Sequence, residues 1–384
     1  MPRAERPTTP ERCAEVLRQC SEERQTVRIR GGGTKDHVGT RRPTDVVLET
    51  AELGGIVDHV PEDLTVTVGA GMRFDALRIA LATHGQFLPL DPPHVARGAT
   101  VGGIIAANSN GFGRYRYGGV RDLLLGVRAA LPDGTIGRAG GRVVKNVAGY
   151  DLNKLFIGSR GTLGVVVEST FKILPLPPVT RAASAIFKTS ADAFAAADAL
   201  VRTSLRPTAL VVERIDDRRW RLVVAAAGEA APVGRAMTEL ARIAVAQSAS
   251  AEPLDDPEAT LGPLREFVDG TTRGAVVRAV LPPSAQGPFA EAAVRAGRNA
   301  RIVADAASGV IYVHLRDDTS ALGAVDGLVA NARVLGGSAR LERSAGANVE
   351  AFAGPEPAGA FLMRRLKDSF DPNGILEPAR SAIG

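Results

Sequence analysis

Lysine, cysteine and aromatic side chains are all scarce in this chain of 384 residues, which holds six lysines, two cysteines and 4% aromatics. The formal charge is nevertheless +5, so the basic excess is arginine. These arginines alternate with acids, as in Asp216-Asp217-Arg218-Arg219, and form no basic run flanked by aromatics. That pattern argues against a nucleic-acid partner. Cys13 and Cys20 stand seven apart in a predicted helix, about 10 Å by helical rise and beyond disulfide reach. His37, His59, His84, His94 and His314 are scattered without metal-ligand spacing, so no metal is expected. No apolar run approaches the roughly 18 residues of a membrane span, and Met1-Pro2-Arg3-Ala4-Glu5-Arg6 lacks the apolar core of a signal peptide. The expectation is a cytoplasmic protein without a transmembrane segment.

Glycine is what the chain has in quantity, 42 residues concentrated between positions 31 and 164. The stretch from about 180 to 345 is instead rich in alanine, and Leu174-Pro175-Leu176-Pro177-Pro178 separates the two as a run that continues neither ladder nor helix. A length of 384 residues already exceeds what one core supports. In the first region the pattern predicts a helix over 11–20 and strands over 26–30 and 45–49. A helical turn ends near Val60, a strand covers 65–68 and a helix covers 74–82. Strands over 123–131 and 135–139 flank Pro132-Asp133-Gly134, and a long β run covers 162–174. In the second, strand 181–187, helix 191–202, strands 209–215 and 219–226 and helix 233–246 are followed by a similar series over 275–342. This order predicts helices on one side of a mostly antiparallel sheet. A last amphipathic helix over 361–370, stopped by Asp371-Pro372-Asn373-Gly374, is expected to pack back on the first region.

Four glycine-bearing elements carry the chemical signal. Arg30-Gly31-Gly32-Gly33-Thr34-Lys35 follows a strand and offers successive backbone N–H groups to a phosphate, without the spacing of a P-loop. Gly69-Ala70-Gly71 resembles a dinucleotide fingerprint but has Phe74 where a third glycine belongs, and reads as a tight strand-to-helix turn. The run from Thr100 through Val101, Gly102, Gly103, Ala106, Asn108, Ser109 and Gly111 to Gly113 keeps small residues for a whole helical turn, so a flat phosphorylated ligand can press against it. Gly158-Ser159-Arg160-Gly161-Thr162-Leu163-Gly164-Val165-Val166 is expected to present strand-edge backbone to a ring. The first and third of these elements, about 70 residues apart, predict one extended ligand with a pyrophosphate in the middle.

The order of these loops over residues 26–178 resembles the FAD-binding domain of the vanillyl-alcohol oxidase or PCMH superfamily, and Phe370-Asp371-Pro372-Asn373-Gly374-Ile375-Leu376-Glu377-Pro378 resembles its closing segment. Leu90-Asp91-Pro92-Pro93-His94, Gly118-Gly119-Val120-Arg121-Asp122 and Val144-Lys145-Asn146-Val147-Ala148-Gly149-Tyr150-Asp151 look like the FAD-binding E subunits of bacterial glycolate oxidases. The resemblance implies an α+β fold: a PCMH-type FAD-binding domain of two α+β subdomains over residues 1–178, a ferredoxin-like substrate or cap domain with an antiparallel sheet over 179–345, and a segment 346–384 returning to the FAD domain. It implies FAD held by Arg30, Gly31, Gly32, Gly33, Thr34 and Lys35 at the pyrophosphate, with Thr100 to Gly103 continuing the cradle and Gly161, Gly164, Val165 and Val166 lining the adenine or flavin side. Pro92, Lys145, Asn146 and Tyr150 join the set from the matching strings. Thr34 stands where some relatives carry a histidine tether, so the flavin is expected to be noncovalent, and His37 is read as solvated or capping.

Two departures limit what carries over. The His-rich Gly-Asp-Gly-Asn segment with which relatives oxidise 2-hydroxy acids unaided has no counterpart, its nearest string being Tyr312-Val313-His314-Leu315-Arg316-Asp317-Asp318. Glu377 also replaces an asparagine usual near the family's end. No catalytic base is assigned; Arg114, Tyr115, Arg116, Tyr117 and Lys145 have suitable chemistry on loops. The leading reading is an FAD subunit of a glycolate (2-hydroxy acid) oxidase complex, with a related flavin subunit and an iron–sulfur subunit as partners, cytoplasmic or peripheral at the inner membrane through them. No cysteine set here holds a cluster. The alternatives are a self-contained flavin oxidase or dehydrogenase for another small alcohol or hydroxy acid, and a flavin-stabilised assembly subunit without turnover.

Overall fold

The computed structural model describes residues 2–36, 43–141, 151–247, 249–267, 274–316, 321–344 and 359–377. Two compact units emerge. Unit 1 comprises Met1–Asn110, Gly118–Leu176 and Pro355–Gly384, and unit 2 comprises Gly111–Tyr117 and Pro177–Gly354.

Unit 1 opens with β1 (Arg3–Glu5), α1 (Pro10–Glu22), β2 (Val27–Arg30) and β3 (Val46–Glu49). The α1 helix starts where the Thr9 side chain accepts the Arg12 N–H and Pro10 occupies the first turn, where its missing donor costs nothing. Cys13, Val16, Leu17 and Cys20 repeat at helical spacing and are all buried, so the two cysteines are free thiols acting as small apolar residues. The three strands form a parallel sheet in the order β1-β3-β2.

The same unit continues through β4 (Ile56–Val60), β5 (Thr65–Gly69), α2 (Phe74–Ala82), β6 (Gln86–Phe87) and α3 (Val101–Ala107). After α4 (Arg114–Tyr117), whose residues count with unit 2, come α5 (Val120–Leu123), β7 (Leu124–Ala130), β8 (Ile136–Gly140), α6 (Asn153–Phe156), β9 (Val165–Lys172) and β10 (Leu174–Pro175). Strands β4-β5-β9-β7-β8 make an antiparallel sheet with β9 in the middle. Val165 and Val167 of β9 join the core around α1, whereas Val166 and Phe171 join the core around α2 and α3. That sharing explains its unbroken apolar reading.

Two expectations fail here. Residues up to Val60 form the strand β4, not a helical turn; Asp58-His59 breaks the apolar alternation, and pairing with β5 decides the conformation. Leu174–Pro175 does continue a ladder, against Gln86–Phe87. The pair is two residues long, so the missing proline N–H is tolerated.

Unit 2 runs β11 (Val179–Phe187), α7 (Ser190–Val201), β12 (Ala209–Arg214), β13 (Trp220–Gly228), α8 (Ala230–Ala246), β14 (Ala251–Pro253), α9 (Pro257–Arg265), β15 (Ala275–Val280), α10 (Gln286–Ala296), β16 (Arg301–Asp305), β17 (Val310–Leu315), α11 (Ala321–Val334) and β18 (Ser338–Ser344). Its strands form one eight-stranded antiparallel sheet in the order β14-β11-β13-β12-β16-β17-β15-β18. Residues of α7, α8, α10 and α11 pack in one core with alternate residues of the strands, such as Leu210, Leu222, Val277, Ile302 and Val313. Sequence periodicity alone passes over β16, which is five residues with a charge at each end, and α9, where Gly262 and Pro263 imitate a loop.

The chain closes in unit 1 with α12 (Ala360–Phe370). Lys367 on this helix pairs with Asp371 and donates to the carbonyls of Thr162 (2.9 Å) and Leu376 (2.8 Å). Asp371 in turn accepts the N–H groups of Ile375 and Leu376 at 3.0 and 2.8 Å. Burial pulls the Lys367 ammonium below its ordinary pKa, against the opposing pull of Asp371. Removing either partner strands a buried charge, at a cost of about 3–5 kcal/mol. Among the described residues no helix is long and apolar enough to cross a membrane.

Candidate functional site: a cradle of bare backbone

The β2 strand delivers the chain into residues 31–34, where Gly33 takes a φ of +69° and reverses the path. The two glycines before it are required by space. A methyl group on Gly31 would lie 2.4 Å from Thr100 Oγ1, and one on Gly32 would lie 1.9 Å from the Gly98 carbonyl oxygen. The first and third glycine elements therefore touch within unit 1. Among the described residues, the N–H groups of Gly31, Gly32, Gly33 and Thr34 donate to no protein acceptor. Successive free donors in a turn of this kind form a concavity for an anion.

Arg30 is less available than its position implies. Its guanidinium faces Asp36 at 3.3 Å and Glu49 at 3.5 Å and folds back along Gly33. Glu49 also accepts from Arg6 at 2.6 Å, and that hydrogen bond above all holds its carboxyl below the usual range. Lys35 is half-buried and partnered. The donors open to an anion here are backbone groups.

The wall opposite is α3. Thr100 caps it, its hydroxyl accepting the Gly103 N–H at 3.4 Å. Val101 donates to Met72 O at 2.9 Å, Gly102 to Ala70 O at 2.8 Å and Ile104 to Thr100 O at 2.9 Å. Every amide of the first turn is thus engaged, so α3 contributes shape and not donors. Gly102 is held close because a methyl there would meet Ala70 at 2.8 Å, whereas Gly103 is exposed with only Thr100 near it. Ala106 stands half-buried a turn later, and Asn108 ends the helix in the left-handed region at φ 48°. Ser109 donates to Ile104 O at 3.0 Å.

The fourth element closes on the same helix. Gly158 donates to Ile105 O at 3.0 Å, Arg160 donates to Ala106 O at 2.9 Å, and a methyl on Gly161 would meet Ile29 of β2 at 2.7 Å. Its strand part does not behave as expected. Val165 and Val166 lie in the central strand of the sheet and not at an edge, their side chains 1% and 7% exposed in two cores. Gly164 packs against Leu131 and Ala130. Pro92 is buried, and Gly111 counts with unit 2. Lys145, Asn146, Tyr150 and His37 lie outside the described residues.

Two contributors escape sequence reasoning, and a third, Glu377, is marked there only as a departure without a role. Gly98, the closest neighbour of Gly32, is placed by a turn in which the His94 carbonyl accepts from Arg97 and Ala99 at 3.1 and 3.0 Å, with His94 itself at φ +70° and 1% exposed. Thr50 is buried beside Gly31 and donates its N–H to Arg30 O at 2.9 Å. Glu377 accepts the Ile29 N–H at 2.8 Å, while Val27 donates to Ile375 O at 2.8 Å. The departure at Glu377 thus buttresses the strand that feeds the cradle. Nothing in one-dimensional spacing marks any of the three, although a glycine just ahead of the Thr100 cap is a usable clue to the first.

Residues 3–140 match the family model of the FAD binding domain, and residues 329–380 match that of the C-terminal domain of FAD linked oxidases. The chain is 36% identical to glycolate oxidase subunit GlcD of Bacillus subtilis over 54% of this chain and 46% of that protein. It is 39% identical to glycolate oxidase subunit GlcE of Escherichia coli over 42% of this chain and 46% of that one. It spans about half the length of these curated relatives. In three dimensions it superposes on p-cresol methylhydroxylase with substrate bound at a TM-score of 0.79 and 19% identity, covering 99% of this chain and 88% of the other. The fold is therefore of the PCMH type, as expected, and FAD is the cofactor of a chain with these two domains. A pyrophosphate needs close backbone and free N–H donors, and residues 31–34 offer both.

Proposed function

We propose that this chain is an FAD-bearing subunit of a 2-hydroxy acid oxidase or dehydrogenase complex of the glycolate oxidase type, working with a related flavin subunit and an iron–sulfur subunit. The observation that carries the proposal is the meeting of Gly31 and Gly32 with Gly98 and Thr100 around four N–H groups unengaged among the described residues, in a region that matches an FAD binding domain. Likeness to GlcD and GlcE supports the substrate class and the partners.

Residues 31–34 hold the pyrophosphate through backbone donors. Thr100 to Gly103 and Ala106 give the flat wall, and Lys145, Asn146 and Tyr150 complete the cofactor set. FAD, when bound, supplies a two-electron acceptor at N5. Thr34 stands in place of the histidine to which some relatives tether the flavin, so the cofactor is assigned noncovalent contacts. The substrate domain is assigned to residues 179–345.

Purified chain, reconstituted with FAD and mixed anaerobically with glycolate, tests the reading. Bleaching of the flavin band and a 2-oxo acid product are expected, faster once partner subunits are restored. Chain that takes up no FAD sinks the proposal outright. Flavin that denaturing acid fails to release sinks the noncovalent assignment.

A further inference from the structure

Asp58-His59, the pair that interrupts the apolar reading of β4, follows a bulge between Ile56 and Asp58 in the pairing with β5. A bulge re-aims the side chains beside it. His59 is set opposite Val66, whose side chain joins the core around α2 and α3. Side chains paired across an antiparallel ladder share a face, so His59 stands on the α2 side of the sheet. The turn that ends α2 brings His84 to the same place. Its N–H donates to Leu81 O at 3.0 Å, and Gly85 then reverses the chain at φ +65°. The two imidazole rings lie 4.7 Å apart, centroid to centroid, with their planes at 82°. His59 is half-buried and His84 is exposed.

Hydrogen bonds around the pair fix which nitrogen of each ring holds the lone pair. The Gln86 amide nitrogen donates to Pro61 O at 2.8 Å, so its amide oxygen is the atom that faces His59 and accepts from Nε2 at 2.9 Å. A neutral imidazole has one N–H, so the His59 lone pair is on Nδ1. At His84, Nδ1 has Thr83 Oγ1 at 3.0 Å and Ala80 O at 3.4 Å. The Thr83 hydroxyl donates its single hydrogen to Ala80 O at 2.7 Å, so both neighbours of Nδ1 are acceptors. Nδ1 therefore carries the hydrogen and Nε2 the lone pair. Each ring gives one N–H to a protein oxygen and keeps its second nitrogen bare, which is how imidazoles are oriented around a metal ion.

We infer that His59 and His84 form a binding site for one divalent transition ion of the zinc class, held through His59 Nδ1 and His84 Nε2. Two imidazoles on one zinc, with Zn–N bonds of about 2.0–2.1 Å near the tetrahedral angle, hold their centroids about 5 Å apart, close to the separation found between these rings. Among the described residues no group of three or more His, Cys, Asp or Glu is placed for a metal, so the protein supplies two ligands and water the rest. Imidazole nitrogen selects zinc, nickel or copper over magnesium and calcium, which take oxygen ligands. The ion ties β4, an outer strand of the five-stranded sheet, to the end of α2. Neither histidine belongs to the glycine cradle, so the inference does not rest on the flavin reading.

The full chain, treated with EDTA and dialysed, is titrated with zinc chloride by calorimetry, with thermal melts and FAD uptake measured alongside. Wild type is expected to bind about one zinc per chain and to melt at a higher temperature with zinc present. Magnesium and calcium should do neither. His59→Gln and His84→Gln should each weaken zinc by at least about tenfold and leave FAD affinity unchanged. The double variant should lose little beyond either single change, because the two ligands serve one ion. His84 is exposed, so His84→Gln carries the test if the His59 variant does not fold. No saturable zinc uptake up to about 1 mM overturns the inference. Zinc affinity unchanged in His84→Gln overturns it too, as do additive losses in the double variant or calcium bound as tightly as zinc.

Discussion

Two glycine turns in unit 1 look alike in sequence and differ in what they meet. Both follow a strand, and both need residues without Cβ. At Gly71 a methyl would lie 2.0 Å from the Thr50 carbonyl, and at Gly69 one would lie 2.2 Å from that of Leu53. There the Gly71 and Met72 N–H groups donate to Leu53 O and Gly69 O at 2.9 and 3.1 Å, so this turn is closed by the protein itself. At residues 31–34 the crowding comes from Gly98 and Thr100, and the donors meet no acceptor among the described residues. Glycine reports a close approach; the hydrogen-bond account decides whether the approach serves folding or a ligand.

The sharpest test of the contrast is a pair of substitutions. Gly71→Ala forces a methyl into backbone and should cost about 3 kcal/mol of stability, seen as a fall in the urea midpoint, while FAD still raises the midpoint by the wild-type increment. Gly32→Ala should cost a similar or smaller amount and abolish most of that increment. Equal FAD increments in the two variants would falsify the division between a structural and a ligand turn. Burial pushes the Cys13 thiol up to about 12, so maleimide labelling at neutral pH reports opening of the α1 core independently of flavin.

Gly103→Val is expected to leave apo stability within about 0.5 kcal/mol, because the position is exposed on a helix. FAD affinity, measured by fluorescence quenching, should fall about tenfold if the bare face of α3 is a ligand wall. Unchanged affinity would remove α3 from the site.

The smallest effect is a dependence on acid. The Glu49 carboxyl titrates below its ordinary range in the folded chain, chiefly through the hydrogen bond from Arg6. Its contribution is therefore complete above the ordinary glutamate pKa of about 4.3 and fades as pH falls through the lower folded value. Thermal melts of Glu49→Gln should decline less than wild type between about pH 5 and 3.

Much of this architecture is legible in one dimension because the local signals agree with the fold. Thr9 and Pro10 mark α1, the alternation of Thr65-Val66-Thr67-Val68 marks β5, and the returning order in the alanine-rich half marks the duplicated unit. The misses share a cause. β4 and β16 are short strands whose charged residues hide the period, and pairing with neighbours far along the chain fixes them. At the cradle, the glycines are visible but their partners Gly98, Thr50 and Glu377 are not, since contact at such separations leaves no periodic trace.

The pairing of Val27 and Ile29 with residues 375–377 carries a consequence in time. The strand that aims the cradle is made about 350 residues before the segment that braces it, an interval of roughly 20–70 s at ribosomal rates. The cradle can be aimed only after that segment emerges. The brace is thus completed late, and a product truncated before residue 375 would lack the partner that β2 pairs with.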